Sequence, residues 1–90
     1  PAPVVKLFTP DANATWLITE IDPENPDIAF GLCDLGLGSP ELGSVAISDL
    51  RQVRGKLGLP VERDRSFDGE KRRPISEYAR AARSTGTISA

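Results

Sequence analysis

From Val4 to Ile47 the chain is a succession of short β-type runs, each closed by proline, glycine or aspartate, and this alternation constrains the fold more than any other feature. Val4-Val5-Lys6-Leu7-Phe8-Thr9 is β-branched and apolar, and Pro10-Asp11 stops it with turn chemistry. Thr15-Trp16-Leu17-Ile18-Thr19-Glu20-Ile21 alternates, which sets Thr15, Leu17, Thr19 and Ile21 on one face and Trp16, Ile18 and Glu20 on the other. In Asp22-Pro23-Glu24-Asn25-Pro26-Asp27 two prolines cannot donate to a ladder, so the segment reads as an acidic hairpin loop. Ile28-Ala29-Phe30-Gly31-Leu32-Cys33-Asp34-Leu35 alternates again and pairs most simply with the preceding run as a meander. After the break Gly36-Leu37-Gly38-Ser39-Pro40, the run Glu41-Leu42-Gly43-Ser44-Val45-Ala46-Ile47 predicts a fourth strand.

Periodicity then changes. Ser48 suits an N-cap, Asp49 suits the first turn, and Leu50, Val53 and Leu57 recur at i, i+3 and i+7, which predicts a helix over 49–57 closed by Gly55 or Gly58. Val61 and Phe67 alternate with charge in 61–67, as in an edge strand whose charges discourage further pairing, and Asp68-Gly69 is a turn signal. Pro74 opens a second helix over 75–83, with Ile75, Tyr78, Ala79 and Ala82 along one stripe and Arg73, Glu77, Arg80 and Arg83 outside. The expected architecture is α+β: an antiparallel sheet of four to five strands with one face covered by one or both short helices. Leu7, Leu17, Ile18, Phe30, Leu32, Val45, Ile47, Leu50 and Val53 should supply the core, with Trp16 packed or half-packed. A single domain over 1–84 is expected, followed by a frayed tail at 85–90.

Ninety residues allow one core, burying roughly 60–65% of the surface of the unfolded chain. With 39% hydrophobic and 27% charged residues and no apolar run near the roughly 18 that a membrane span needs, the expectation is a soluble protein off the membrane. Cys33 is the only cysteine, so no internal disulfide forms, and a reducing, cytoplasmic setting is expected. No basic start precedes a hydrophobic stretch, as a signal peptide would require, although the opening Pro1-Ala2-Pro3 lacks methionine and leaves room for a processed or missing N-terminal segment.

Chemistry is scarce. The chain has no histidine, which removes Ser-His-Asp and Cys-His catalysis, and Cys33 sits in an apolar run where thiols act as small hydrophobes. Asp34, Glu41, Glu62 and Asp64 are the carboxylates that strand ends could bring together around a divalent metal for phosphodiester chemistry, although the carboxylate-x-lysine signature is missing. Gly36-Leu37-Gly38 and Gly55-Lys56-Leu57-Gly58 lack phosphate-loop spacing and read as turns. No catalytic residue, metal ligand set or cofactor is assigned.

Charge offers more. Residues 1–50 carry one base, Lys6, against eight acids, whereas residues 51–90 carry ten bases against five acids, so a net charge of −2 hides halves of −7 and +5. Such a split bears on what a protein touches. Asp22, Glu24 and Asp27 in the acidic loop would meet a basic partner, Arg72, Arg73, Arg80 and Arg83 an acidic one, and Glu62, Arg63 and Asp64 form a two-sided polar edge open to either. Nucleic acid is a second candidate for the basic half, against which stand a pI near 5.0 and only five aromatic residues.

The ordered pieces Val5-Lys6-Leu7-Phe8-Thr9-Pro10, Thr15-Trp16, Phe30-Gly31-Leu32-Cys33-Asp34, Glu41-Leu42-Gly43, Asp49-Leu50 and Gly58-Leu59-Pro60-Val61-Glu62-Arg63-Asp64 resemble a family of short bacterial proteins. It is classed as a domain of unknown function and is often carried on plasmids and integrated conjugative elements. The resemblance spans roughly residues 4 to 78 and rests on Phe-Thr-Pro, Glu-Leu-Gly and Gly-Leu-Pro-Val-Glu-Arg-Asp in this order. It implies a setting of mobile DNA and brings no catalytic residue. The expected function is a non-catalytic protein-interaction module of mobile elements, with a metal-dependent enzyme acting on phosphodiesters, or a weak DNA-binding accessory protein, as alternatives. Sequence leaves partner and oligomeric state open.

Overall fold

The computed structural model describes residues 2–67 and 73–88, and the expected turn at Asp68-Gly69 lies outside them, as do Lys71 and Arg72. Five strands, β1 (Val5–Phe8), β2 (Thr15–Ile21), β3 (Ile28–Asp34), β4 (Glu41–Ala46) and β5 (Glu62–Arg63), form one antiparallel sheet in the order β4-β3-β2-β1-β5. Among the described residues two helices, α1 (Ile47–Leu50) and α2 (Ile75–Thr85), make the fold α+β. Among the described residues no helix is long and apolar enough to cross a membrane.

The first four strands fall where β-branching and turn residues set them. A bulge in β2 between Ile18 and Glu20 was not legible. It inserts Thr19, whose hydroxyl donates to the Phe30 carbonyl oxygen at 3.1 Å, and leaves Glu20 opposite Phe30 and Ile21 opposite Ala29. Opposed residues share a face. Past the bulge Glu20 therefore joins the side of Leu17, and Ile21 crosses to the other, the reverse of strict alternation.

Both faces of the sheet are covered, one by each helical segment, where one covered face was expected. Leu17 and Leu32 pack with Ile75, Tyr78, Ala79 and Ala82 of α2, joined at the margin by Phe67 and Ile88. Trp16, Ile18 and Ala29 pack on the opposite face with Leu50, and Val5, Leu7, Val45, Ile47, Val53 and Val61 close around them. A sheet sandwiched this way needs apolar residues at successive positions of its central strand, which is why Trp16, Leu17 and Ile18 are all buried. Phe30, placed in the core by its pattern, is 37% exposed because its row lies beyond the cover of α2.

The first helix is one turn long, shorter than the expected 49–57. Ser48 lies inside that turn and Ala46 occupies the cap position. After Val53 the chain makes a bridge between Arg54 and Pro60, with Gly55 N–H donating to the Leu59 carbonyl at 3.1 Å and Gly58 N–H to the Gly55 carbonyl at 3.0 Å. Two glycines in four residues cost more in a helix than Leu57 repays, and Leu57 ends up 80% exposed. The strand expected over 61–67 pairs only at Glu62 and Arg63, because Asp64 then turns the chain by accepting the Ser66 N–H at 2.9 Å.

Candidate functional site

Two of the three carboxylates of the acidic loop are engaged in holding the structure. Asp22 Oδ1 accepts the Glu24 N–H at 2.9 Å, and Asn25 Oδ1 accepts the Asp27 N–H at 3.2 Å. Asp27 reaches across to α1: its Oδ1 accepts the Ser48 N–H at 2.9 Å, its Oδ2 the Ser48 hydroxyl at 2.7 Å, and its carbonyl the Ile47 N–H at 2.7 Å. Asp27 is thus the side-chain cap that sequence assigned to Ser48. These Ser48 donors hold its carboxyl below the usual aspartate range. Glu24 remains exposed.

At the other margin of the sheet, Asp64 pairs with Lys6 Nζ at 3.3 Å and accepts the Ser66 hydroxyl at 2.8 Å. Ser66 above all, and then Lys6, keep the Asp64 carboxyl low. Glu62 lies opposite Phe8 and Arg63 opposite Leu7, so the two charges point to opposite sides of an exposed edge. Of the basic cluster, Arg73 stacks over the Tyr78 ring at 4.7 Å, whereas Arg80 and Arg83 are exposed on α2. Arg83 also lines a groove of about 540 Å³ with residues 38–42. Arg72 lies outside the described residues.

The four carboxylates considered for a metal do not converge. Glu41 lies opposite Cys33, and Asp34, the next residue of β3, opposite Thr15, so Glu41 and Asp34 point to opposite faces. Glu62 sits on β5 at the far edge. Among the described residues no three His, Cys, Asp or Glu side chains come within reach of one ion. Cys33 is half-buried, and burial pushes its thiol up, so it packs as a neutral group.

Asp34 has another task. It is 1% exposed and fully partnered: Oδ1 accepts the Gly36 N–H at 2.9 Å, and Oδ2 accepts the Thr87 hydroxyl at 3.0 Å and the Ile88 N–H at 2.9 Å. This carboxylate ties the loop after β3 to the segment after α2. Helix α2 runs to Thr85, and Ile88 packs on the core. Residues 89–90 lie outside the described residues.

A second carboxylate, which sequence did not single out, organises the same end. Asp11 Oδ2 accepts the N–H groups of Leu57 at 2.7 Å and Leu59 at 3.2 Å, across more than forty residues of chain. Its Oδ1 is buried with no hydrogen-bond partner among the described residues, pressed against Gly55, where any Cβ would run into the carboxylate. Gly36 is held in the left-handed region at φ +79°, with Asn13 of the neighbouring loop closing over it. Three segments thus meet at one end of the sheet: the loop between β1 and β2, the loop between β3 and β4, and the turn over 55–59. Among the residues they expose are four leucines: Leu35, Leu37, Leu57 and Leu59 are 61%, 82%, 80% and 42% exposed. Leu57 was legible only as a helix-stripe residue, because no local pattern says that a turn displays it.

The order of these pieces agrees with a known sequence pattern. Residues 1–89 match that of DUF2958, described as a protein of unknown function. The chain belongs to this family. No curated protein and no solved structure matches it. This DUF2958 protein carries pinned loops bearing leucines at one end of its sheet, an acidic loop that caps α1 at the other, and two exposed arginines on α2.

Proposed function

We propose that this DUF2958 protein is a non-catalytic interaction module of mobile genetic elements whose contact surface is the leucine-bearing end of the sheet. The observation that carries the reading is the combination of exposure and fixity. Leu37 and Leu57 are at least four-fifths exposed, yet their loops are fastened by the buried carboxylate of Asp34 and by Asp11. Water gains nothing from apolar side chains held still, whereas a protein partner gains area without having to order the loops first. Lys56, beside Leu35 on the same rim, adds a charge for registering an apolar partner surface. The mobile-element setting follows the family resemblance and is part of the proposal.

The test is capture of partners from the source cell by the protein and by its Leu37→Asp/Leu57→Asp variant. The expected result is a partner retained by the parent and lost by the variant at unchanged thermal stability. An identical set of captured proteins would refute the leucine surface. A second reading, weak nucleic-acid binding, is favoured by the exposure of Arg80 and Arg83. It predicts anisotropy of labelled DNA that falls steeply between about 50 and 200 mM salt and is lost in Arg80→Ala/Arg83→Ala.

A further inference from the structure

The sheet ends in two edges, β4 and β5. β5 has two residues, both charged, which protects it from further pairing. β4 is six residues long, and its single charge, Glu41, stands at the first position. No proline, lysine or bulge interrupts residues 42–46, and the outer side of the strand pairs with no other strand among the described residues.

We propose that β4 pairs antiparallel with β4 of a second copy of this chain about a two-fold axis at Ser44, joining two five-stranded sheets into one. Opposed residues must share a face, so the axis of such a pair passes through a residue. With Ser44 on it, Gly43 lies opposite Val45 of the second copy and Leu42 opposite its Ala46. Gly43 has open space where a Cβ would stand, with nothing within 4 Å, and its neighbour across β3 is Gly31. That hollow receives Val45 of the second copy, and the symmetry repeats the fit. On the other face, Leu42, 39% exposed, gains Ala46 and Ile28 of the second copy as neighbours.

Charge supports the same arrangement. Glu41 falls outside the ladder, so no carboxylate faces another across it. Arg83 lines the groove beside Leu42, and pairing Leu42 with Ala46 of the second copy turns that groove toward the acidic loop that ends at Asp27 there, because Ala46 neighbours Ile28. A foreign strand would have to supply a matching knob, whereas this chain carries knob and hollow two positions apart.

Sedimentation equilibrium over a concentration series up to about 1 mM tests the proposal, since association that matters in a cell lies well below that dissociation constant. The expected mass at high concentration is twice the 9.7 kDa of the chain. Ser44 is exposed, so Ser44→Lys and Ser44→Glu should fold as the parent does, checked by thermal melts. Each places like charges across the axis and should weaken the dimer at least tenfold. Mixed together, they should form a heterodimer of parent-like affinity. A parent that stays monomeric at about 1 mM, variants that dimerise unchanged, or a mixture that fails to associate would each overturn the seam. Leu37→Asp should leave dimerisation intact; its loss there would move the interface to the leucine end and also overturn it.

Discussion

The two ends of the sheet are both organised by aspartates, but at the leucine end Asp34 is buried and Asp11 half-buried, whereas at the acidic end Asp22 and Asp27 face water. Asp34 is buried and receives three hydrogen bonds, one from Gly36 in the loop that follows it and two from the distant residues Thr87 and Ile88, whereas Asp27 caps α1 from an exposed loop through Ser48. A buried carboxylate leaves its donors stranded when it is removed, while an exposed one hands them back to water. The leucine end is therefore built as rigid scaffold and the acidic end as an adjustable surface.

Asp34→Ala should break the contrast if anything does. It strands the Gly36 and Ile88 amides and the Thr87 hydroxyl, and a loss of about 3 kcal/mol is expected from urea unfolding, with faster amide exchange at Ile88. A cost below about 1 kcal/mol would mean that the end is no more fixed than a surface loop. Gly55→Ala comes next. Its Cβ forces the Asp11 carboxylate aside, which releases the Leu57 and Leu59 amides, and a cost of about 1–2 kcal/mol is expected in the same assay.

Asp27→Asn should cost less than either and should show itself as a change in pH dependence. The folded carboxyl titrates below its ordinary range, so its stabilising effect is complete above the unfolded pKa and fades as pH falls through the lowered folded value. Melting temperature recorded from neutral to strongly acidic pH should fall less steeply at its acid end for the variant than for the parent; parallel curves would remove Asp27 from the cap. Asp64 adds to the parental fall for the same reason, with Ser66 as its main donor. The smallest stability effect, within about 0.5 kcal/mol, is expected for Leu37→Asp, whose side chain already stands in water, so any loss of partner capture by that variant is a loss of contact and not of fold.

Much of this was legible in the chain. The Thr15-Trp16-Leu17-Ile18-Thr19-Glu20-Ile21 run announced β2, and the stripe of Ile75, Tyr78, Ala79 and Ala82 announced the buried face of α2, because periodicity is a local property of the sequence. The candidate site was less so. Asp27, a candidate charge for partners, also caps α1 through Ser48, and Asp34, a candidate metal ligand, tethers the segment after α2. Asp11 was one acid among eight. Each carboxylate is explained by donors 21 to 54 residues away, and no local pattern carries that information.

The sequence by itself determined the strands, the antiparallel meander, the apolar stripe of α2 and the absence of histidine chemistry, since all of these depend on neighbours in the chain. Tertiary structure alone decided that the helices cover opposite faces, that a bulge at Thr19 reverses Glu20 and Ile21, and that four leucines gather at one end on loops fastened by Asp11 and Asp34. Those features arise from hydrogen bonds and packing between residues far apart in sequence, whose meeting is a property of the closed fold.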